Sequence, residues 1–128
     1  MDEYDPFTAP DAEEWLALDE QERVDLVENY HRRKRIRLPS STVHAIIHAL
    51  VENQIALGEQ VPIRTLQRLM SEGLDRHDAI HAIGSVLIVH LNELMRQVEA
   101  ETTSDADPNA PYYAELERLT AKSWRESG

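Results

Sequence analysis

The chain has 128 residues, a formal net charge of −11 at pH 7, six histidines and no cysteine. Its length indicates one domain with a modest core, and the lack of cysteine excludes disulfides, thiolate metal sites and thiol catalysis. The acidic charge repels phosphate backbones, no apolar run is long enough for a membrane span, and the acidic N-terminal stretch excludes an ordinary signal peptide. We therefore expect a cytoplasmic protein without nucleic-acid or membrane partners.

Two capping boxes mark helix starts in the first part of the chain. Asp11 with Glu14 opens a short first helix, and Asp19 with Glu22 opens a second helical segment. These signals are compatible with one bent helix over residues 12–35 and equally with two shorter helices.

Glycines and prolines divide the middle of the chain into three further helices. A helix over residues 42–57 ends at Gly58, a shorter one has Pro62 in its first turn and ends at Gly73, and the longest covers residues 76–99. No segment shows the two-residue period of a strand. The prediction is an all-α, compact bundle of about five helices, in which the 42–57 and 76–99 helices form the core pair.

Composition divides the chain into three parts. Residues 1–99 form the helical domain, and residues 100–111 are small, polar and proline-containing, which is typical of a flexible linker. Residues 112–125 form a C-terminal helix whose Tyr112 and Trp124 favour docking on the domain. The alternative is that this segment binds a protein partner or a second copy of the chain.

Two pairs of histidines with H-x3-H spacing are the main functional signal. His44 with His48 and His77 with His81 each place two imidazoles one helical turn apart on one face, as in helices that bind a transition metal. Six histidines in a chain of this length would give roughly 0.3 such pairs by chance. All four lie near helix N-termini, where the dipole favours the neutral, metal-binding imidazole.

Both pairs occupy the same shoulder of the inward face of their helix, and HAIIHALV and HDAIHAIG look like a weak internal repeat. Antiparallel packing of the two helices would bring the four imidazoles together, whereas parallel packing would tend to separate the pairs. Glu52, two turns beyond His44, is a candidate fifth ligand or a group that orients one. By contrast, His31 belongs to the basic run HRRKRIR, which we interpret as a solvated helix C-terminus, and His90 lies on the opposite side of its helix.

The segment from residue 43 to about residue 95 resembles a family of small bacterial proteins catalogued only as a domain of unknown function. Members pair one H-x3-H helix, which runs into a stretch containing Glu and Gln, with a second H-x3-H helix, and a proline-containing turn and short helix lie between. The matching residues are His44, His48, Glu52, Gln54, Pro62, His77 and His81. Asn53 stands where the resemblance leads us to expect another acidic residue. The resemblance implies a bacterial helical protein and brings no activity with it.

The leading hypothesis is a metal-binding helical protein with zinc held by the histidine pairs and Glu52, because four imidazoles can satisfy tetrahedral geometry. Four protein ligands would make the site structural, whereas three would leave one coordination position open to water and to catalysis. Whether the protein is an enzyme therefore stays open. The stretch HDAIH is close to the HExxH motif of zinc peptidases, but its Asp is shorter and no third ligand is recognisable. The rival hypothesis is a metal-free protein–protein interaction module with structural histidines.

Overall fold

The computed structural model describes residues 1–34, 40–101 and 107–127. Within these ranges the chain forms seven helices and no strand, which confirms the all-α class and corrects the expected number of about five. The helices are α1 Ala12–Ala17, α2 Glu20–Arg33, α3 Ser41–Ala56, α4 Gln60–Ser71, α5 Arg76–Glu99, α6 Ala110–Arg118 and α7 Ala121–Ser127. None of the helices in these ranges has the length and apolar character needed to cross a membrane. Residues 35–39 and 102–106, with the end of the basic run and the middle of the predicted linker, lie outside the described residues.

Asp11 and Asp19 act as the predicted helix N-caps and separate α1 from α2. The Asp11 side chain accepts a hydrogen bond from the Glu14 backbone N–H, and the Asp19 side chain accepts one from the Glu22 N–H. Between them Leu18 adopts an extended backbone. Because each Asp satisfies a free N–H group in the first turn of its own helix, two helices form here rather than one bent helix.

The C-terminal segment contains two helices instead of one. Leu119 is extended after α6, and the Thr120 and Ser123 side chains cap α7 reciprocally. Tyr112 and Leu116 are fully covered by the larger core cluster, and Trp124 packs against its edge. The segment therefore contributes Tyr112 and Leu116 to the core.

Two apolar clusters make up the core. The larger lies among α3, α4, α5 and α6, and the smaller lies among the N-terminal segment, α1, α2 and α3. Typical members of the larger are Val51, Leu69, Ile80, Ile83 and Leu116, and those of the smaller are Tyr4, Trp15, Val27, Tyr30 and Ala49. Helix α3 contributes to both clusters and is thus the centre of the bundle.

Helices α3 and α5 contact each other through their N-terminal halves. Gly84 of α5 lies against Ile47 of α3, so closely that a Cβ at position 84 would stand 2.9 Å from the Ile47 Cγ2. Further along both helices, Leu50 and Leu87 face one cavity. The N-terminal halves of the two helices, which carry the histidine pairs, therefore pack against each other.

Candidate metal centre

Four histidine rings converge where α2, α3 and α5 meet. They are His31 of α2, His48 of α3, and His77 and His81 of α5, and one ring nitrogen of each lies within 4.8 Å of the others. The first three side chains are buried and His81 is half-buried. We call these four residues the histidine cluster.

The distances between ring nitrogens in the histidine cluster fit an ion with tetrahedral coordination. His31 Nε2 and His77 Nε2 are 3.3 Å apart. Two imidazole nitrogens that bind one tetrahedral zinc ion at about 2.0–2.1 Å are separated by about 3.3–3.4 Å. The His77 and His81 rings, one turn apart on α5, have their centroids at 4.3 Å. Small side-chain movements would thus be enough for all four nitrogens to reach one ion.

Hydrogen bonds at the outer edge of the cluster set the tautomers of two rings. His31 Nδ1 lies 2.8 Å from the Val27 carbonyl oxygen, which can only accept, so His31 carries its proton on Nδ1 and presents the Nε2 lone pair to the cluster. His48 Nε2 lies 2.7 Å from the Tyr4 hydroxyl. Among the described residues, buried His48 Nδ1 and His81 Nε2 have no hydrogen-bond partner. A buried polar atom without a partner costs about 1–3 kcal/mol, and a bound cation would satisfy both nitrogens at once.

A buried polar chain holds His48 in place. The Tyr4 hydroxyl donates to Glu52 Oε2, so it accepts from His48 Nε2–H, which leaves the His48 lone pair on Nδ1. Arg76 Nη1 and Nη2 donate to the two Glu52 oxygens at 2.7 and 2.8 Å, and Nη1 also donates to the Pro6 carbonyl. Burial, together with the Glu52 charge, raises the pKa of Tyr4 well above its ordinary value, so the phenol keeps the proton that it donates.

The surroundings keep the histidine cluster neutral. Burial lowers the pKa of each of the four rings, and neighbouring imidazoles in or beside the cluster lower it further. The pKa of His77 falls to about 4 and that of His81 to about 3, while that of His48 falls well below its ordinary value. Neutral imidazole is the form that binds a metal, so the cluster is in that form at pH 7.

Three of the five predicted site residues belong to the cluster and two do not. His48, His77 and His81 come together, whereas His44 is exposed, with Nδ1 3.2 Å from the Ser40 carbonyl and its ring centroid 6.4 Å from that of His81. Glu52 is buried, but it reaches the cluster only through the Tyr4 hydroxyl. Glu52 can therefore orient His48 through Tyr4, but it lies outside the cluster.

His31 takes the fourth place, which the sequence interpretation gave to His44. A helical-wheel signal was present, because His31 lies about 20° from Val24 and about 40° from Val27 on the buried face of α2. The basic run that begins at His31 hid this signal. Tyr4 precedes every helix, and it contacts His48, which is 44 positions away in the sequence. No local period could therefore have identified it.

Two other residues of the resemblance have structural partners outside the cluster. Asn53 Oδ1 accepts from Trp15 Nε1 at 2.8 Å and from Arg23 Nη1 at 3.1 Å, which ties α1 to α3. Gln54 Oε1 accepts from the Tyr112 hydroxyl at 2.7 Å. An acidic residue at position 53 is therefore not needed for the cluster.

Replacing Tyr4 with phenylalanine tests the polar chain. Tyr4→Phe leaves His48 Nε2 and one Glu52 oxygen without their shared partner, so we expect a loss of about 1–3 kcal/mol in the free energy of unfolding. Metal affinity should fall about 10–100-fold, as is usual when a group that orients a ligand is lost. Urea denaturation of the metal-free protein and a zinc titration measure the two effects.

Tyr30→Phe is the matched control, because Tyr30 also lies beside the cluster, and it should leave metal affinity unchanged. Equal affinities for the two variants would contradict the role of Tyr4.

No family model, curated protein or solved structure matches the chain. The resemblance to a bacterial domain of unknown function therefore stays a prediction, and the geometry of the histidine cluster carries the functional argument.

Proposed function

We propose that this protein binds one divalent transition-metal ion through His31, His48, His77 and His81. The observation that carries the proposal is the convergence of four neutral imidazoles from three helices around a point that their nitrogens can reach together. Among the described residues, His48 Nδ1 and His81 Nε2 have no hydrogen-bond partner. A bound metal ion would accept the lone pair of each nitrogen.

Zinc is the ion that we propose first. All four ligands are nitrogens, the His31–His77 spacing fits the edge of a zinc tetrahedron, and zinc accepts this geometry without needing a redox partner. Copper and nickel also favour imidazole, and copper binds more tightly to most nitrogen sites, so the comparison of metals belongs in the test.

A bound ion would join α2, α3 and α5 at the boundary between the two apolar clusters. Four protein ligands are typical of a structural zinc site. An ion that binds the folded chain alone stabilises it by about 2.7 kcal/mol at a free concentration of one hundred times the dissociation constant. We therefore propose a metal-stabilised helical domain whose ion holds the N-terminal helices to the central pair.

The test compares two histidine variants. His31→Ala removes a ligand, and we expect zinc affinity to fall by more than the 10–100-fold typical for loss of an outer partner. His44→Ala, the matched control, removes an exposed ring outside the cluster and should leave zinc affinity close to that of the unchanged protein. Isothermal titration of tag-free, metal-stripped protein with zinc, nickel and copper measures both.

Two results would contradict the proposal. If the unchanged protein takes up no ion and its thermal midpoint ignores all three metals, the histidines are structural, as in the rival hypothesis of an interaction module. If His44→Ala loses affinity and His31→Ala keeps it, the ion is held by the two H-x3-H pairs instead of the histidine cluster.

A further inference from the structure

A cavity of about 330 Å³ lies beside the histidine cluster, between the N-terminal halves of α3 and α5. His48 and His81 of the cluster line it, and so does exposed His44. The rest of its wall is mainly apolar, formed by Val43, Ile47, Ile80, Ile88 and Trp124. Pockets for small molecules range from about 300 to 1,000 Å³, so this one has room only for a small ligand.

An ion in the cluster would carry a charge that its ligands do not balance. The four imidazoles are neutral, and the double charge of a divalent ion is then the largest local charge. Glu52 is the buried carboxylate of the described chain, and both of its oxygens are paired with Arg76. A small anion that enters the cavity would reduce this imbalance, and zinc can accept a fifth ligand.

We propose that the cavity binds a small monocarboxylate whose carboxylate ligates the metal and whose apolar body lies against the aliphatic wall. The charge of the site selects the anionic head, and the residues around Ile47 and Ile88 select the apolar body. This inference rests on the proposed metal site, since the bound ion supplies the positive charge that would attract the carboxylate.

Hexanoate is the probe, and its neutral isostere hexanamide is the control ligand. The affinity of the protein for Co²⁺ or Zn²⁺ is measured first, so a failure of the metal site is seen before any carboxylate is added. Hexanoate should bind the metal-loaded protein at least about tenfold more tightly than hexanamide does, and more tightly than it binds the metal-free protein. It should also change the visible spectrum of the cobalt form, because the coordination number rises.

A pair of variants locates the binding site. Val43→Phe adds a ring at the exposed edge of the cavity, and Val98→Phe makes the same change at an exposed position of α5 far from it. Hexanoate affinity should fall about tenfold or more in the first variant and stay unchanged in the second, with metal affinity kept in both. Trp124 fluorescence gives a second readout, since this residue lines the cavity.

The proposal is overturned if the metal-loaded protein binds no hexanoate, if hexanamide binds as well, or if metal removal leaves hexanoate affinity unchanged. Equal hexanoate binding by the two phenylalanine variants also overturns it. Should Val43→Phe disturb metal binding, the hexanoate–hexanamide comparison and the cobalt spectrum of the unchanged protein decide the question without a variant.

Discussion

Replacing Glu52 with alanine is expected to lower the free energy of unfolding by about 3–5 kcal/mol. Glu52 and Arg76 form a buried ion pair with side chains 1% and 6% exposed, so the variant leaves the Arg76 charge buried without its partner. The Tyr4 hydroxyl loses its acceptor in the same step. A small domain is stable by about 5–15 kcal/mol, so this one change removes a large part of the total.

Two further variants separate the buried charge from other effects of Glu52→Ala. The double variant Glu52→Ala with Arg76→Ala should lose less than the sum of the single losses, because it leaves no unpaired charge. Glu93→Ala breaks the exposed pair between Glu93 and Arg96 on α5 and should cost at most about 1 kcal/mol. Urea denaturation at pH 7 measures all of these. A loss for Glu52→Ala as small as that for Glu93→Ala would mean that water reaches the pair.

Acidification from pH 7 to pH 4 is expected to destabilise the metal-free protein steeply. In the folded chain burial lowers the pKa of His77 to about 4 and that of His81 to about 3, whereas unfolded histidine titrates near 6.5. Below pH 6.5 the unfolded chain therefore binds protons that the folded chain does not. Stability is complete above the unfolded pKa and is lost as the pH falls towards the folded pKa values, by at most about 1.4 kcal/mol per pH unit for each ring.

Urea denaturation curves between pH 7 and pH 4 measure this dependence. His81→Asn should make it shallower by about one proton, because one buried ring is removed. His44→Ala, which removes an exposed ring, should leave the slope as it is. Stability that does not change over this range would show that protons reach the cluster rings freely in the folded protein, contrary to their burial.

The parts of the fold that are determined by residues close together in the sequence could be predicted. The N-caps at Asp11 and Asp19 form because each needs a partner only three residues away, and the period of residues 76–99 produces one long helix. The break at Leu119 could not be predicted in the same way. It lies within a loosely apolar pattern that continues across both α6 and α7.

The part of the candidate site that could be predicted consists of histidines that recur at helical spacing. His77 and His81 point together because one turn of α5 separates them, and the same rule drew attention to His48. The choice between His31 and His44 depends on how α2 and α5 approach α3, which no local period encodes. His48 of the first H-x3-H pair joins both histidines of the second, whereas His44 stays exposed outside the cluster. His31 from a third helix completes the cluster instead.

The contacts of the cluster span long stretches of chain, and His31 and His77 are 46 positions apart in the sequence. An ion shared by these two rings would act as a cross-link that closes a large loop, in a chain that has no cysteine to form one covalently. Unlike a disulfide, such a link leaves the unfolded chain unconstrained, since only the folded chain brings the rings together. The unfolded chain would keep only the local pairs, His44 with His48 and His77 with His81, as bidentate sites whenever the turn between them becomes helical. Packing of the apolar core would then offset the entropy cost of closing the loop. The ion would bind rings that the folded chain already holds together.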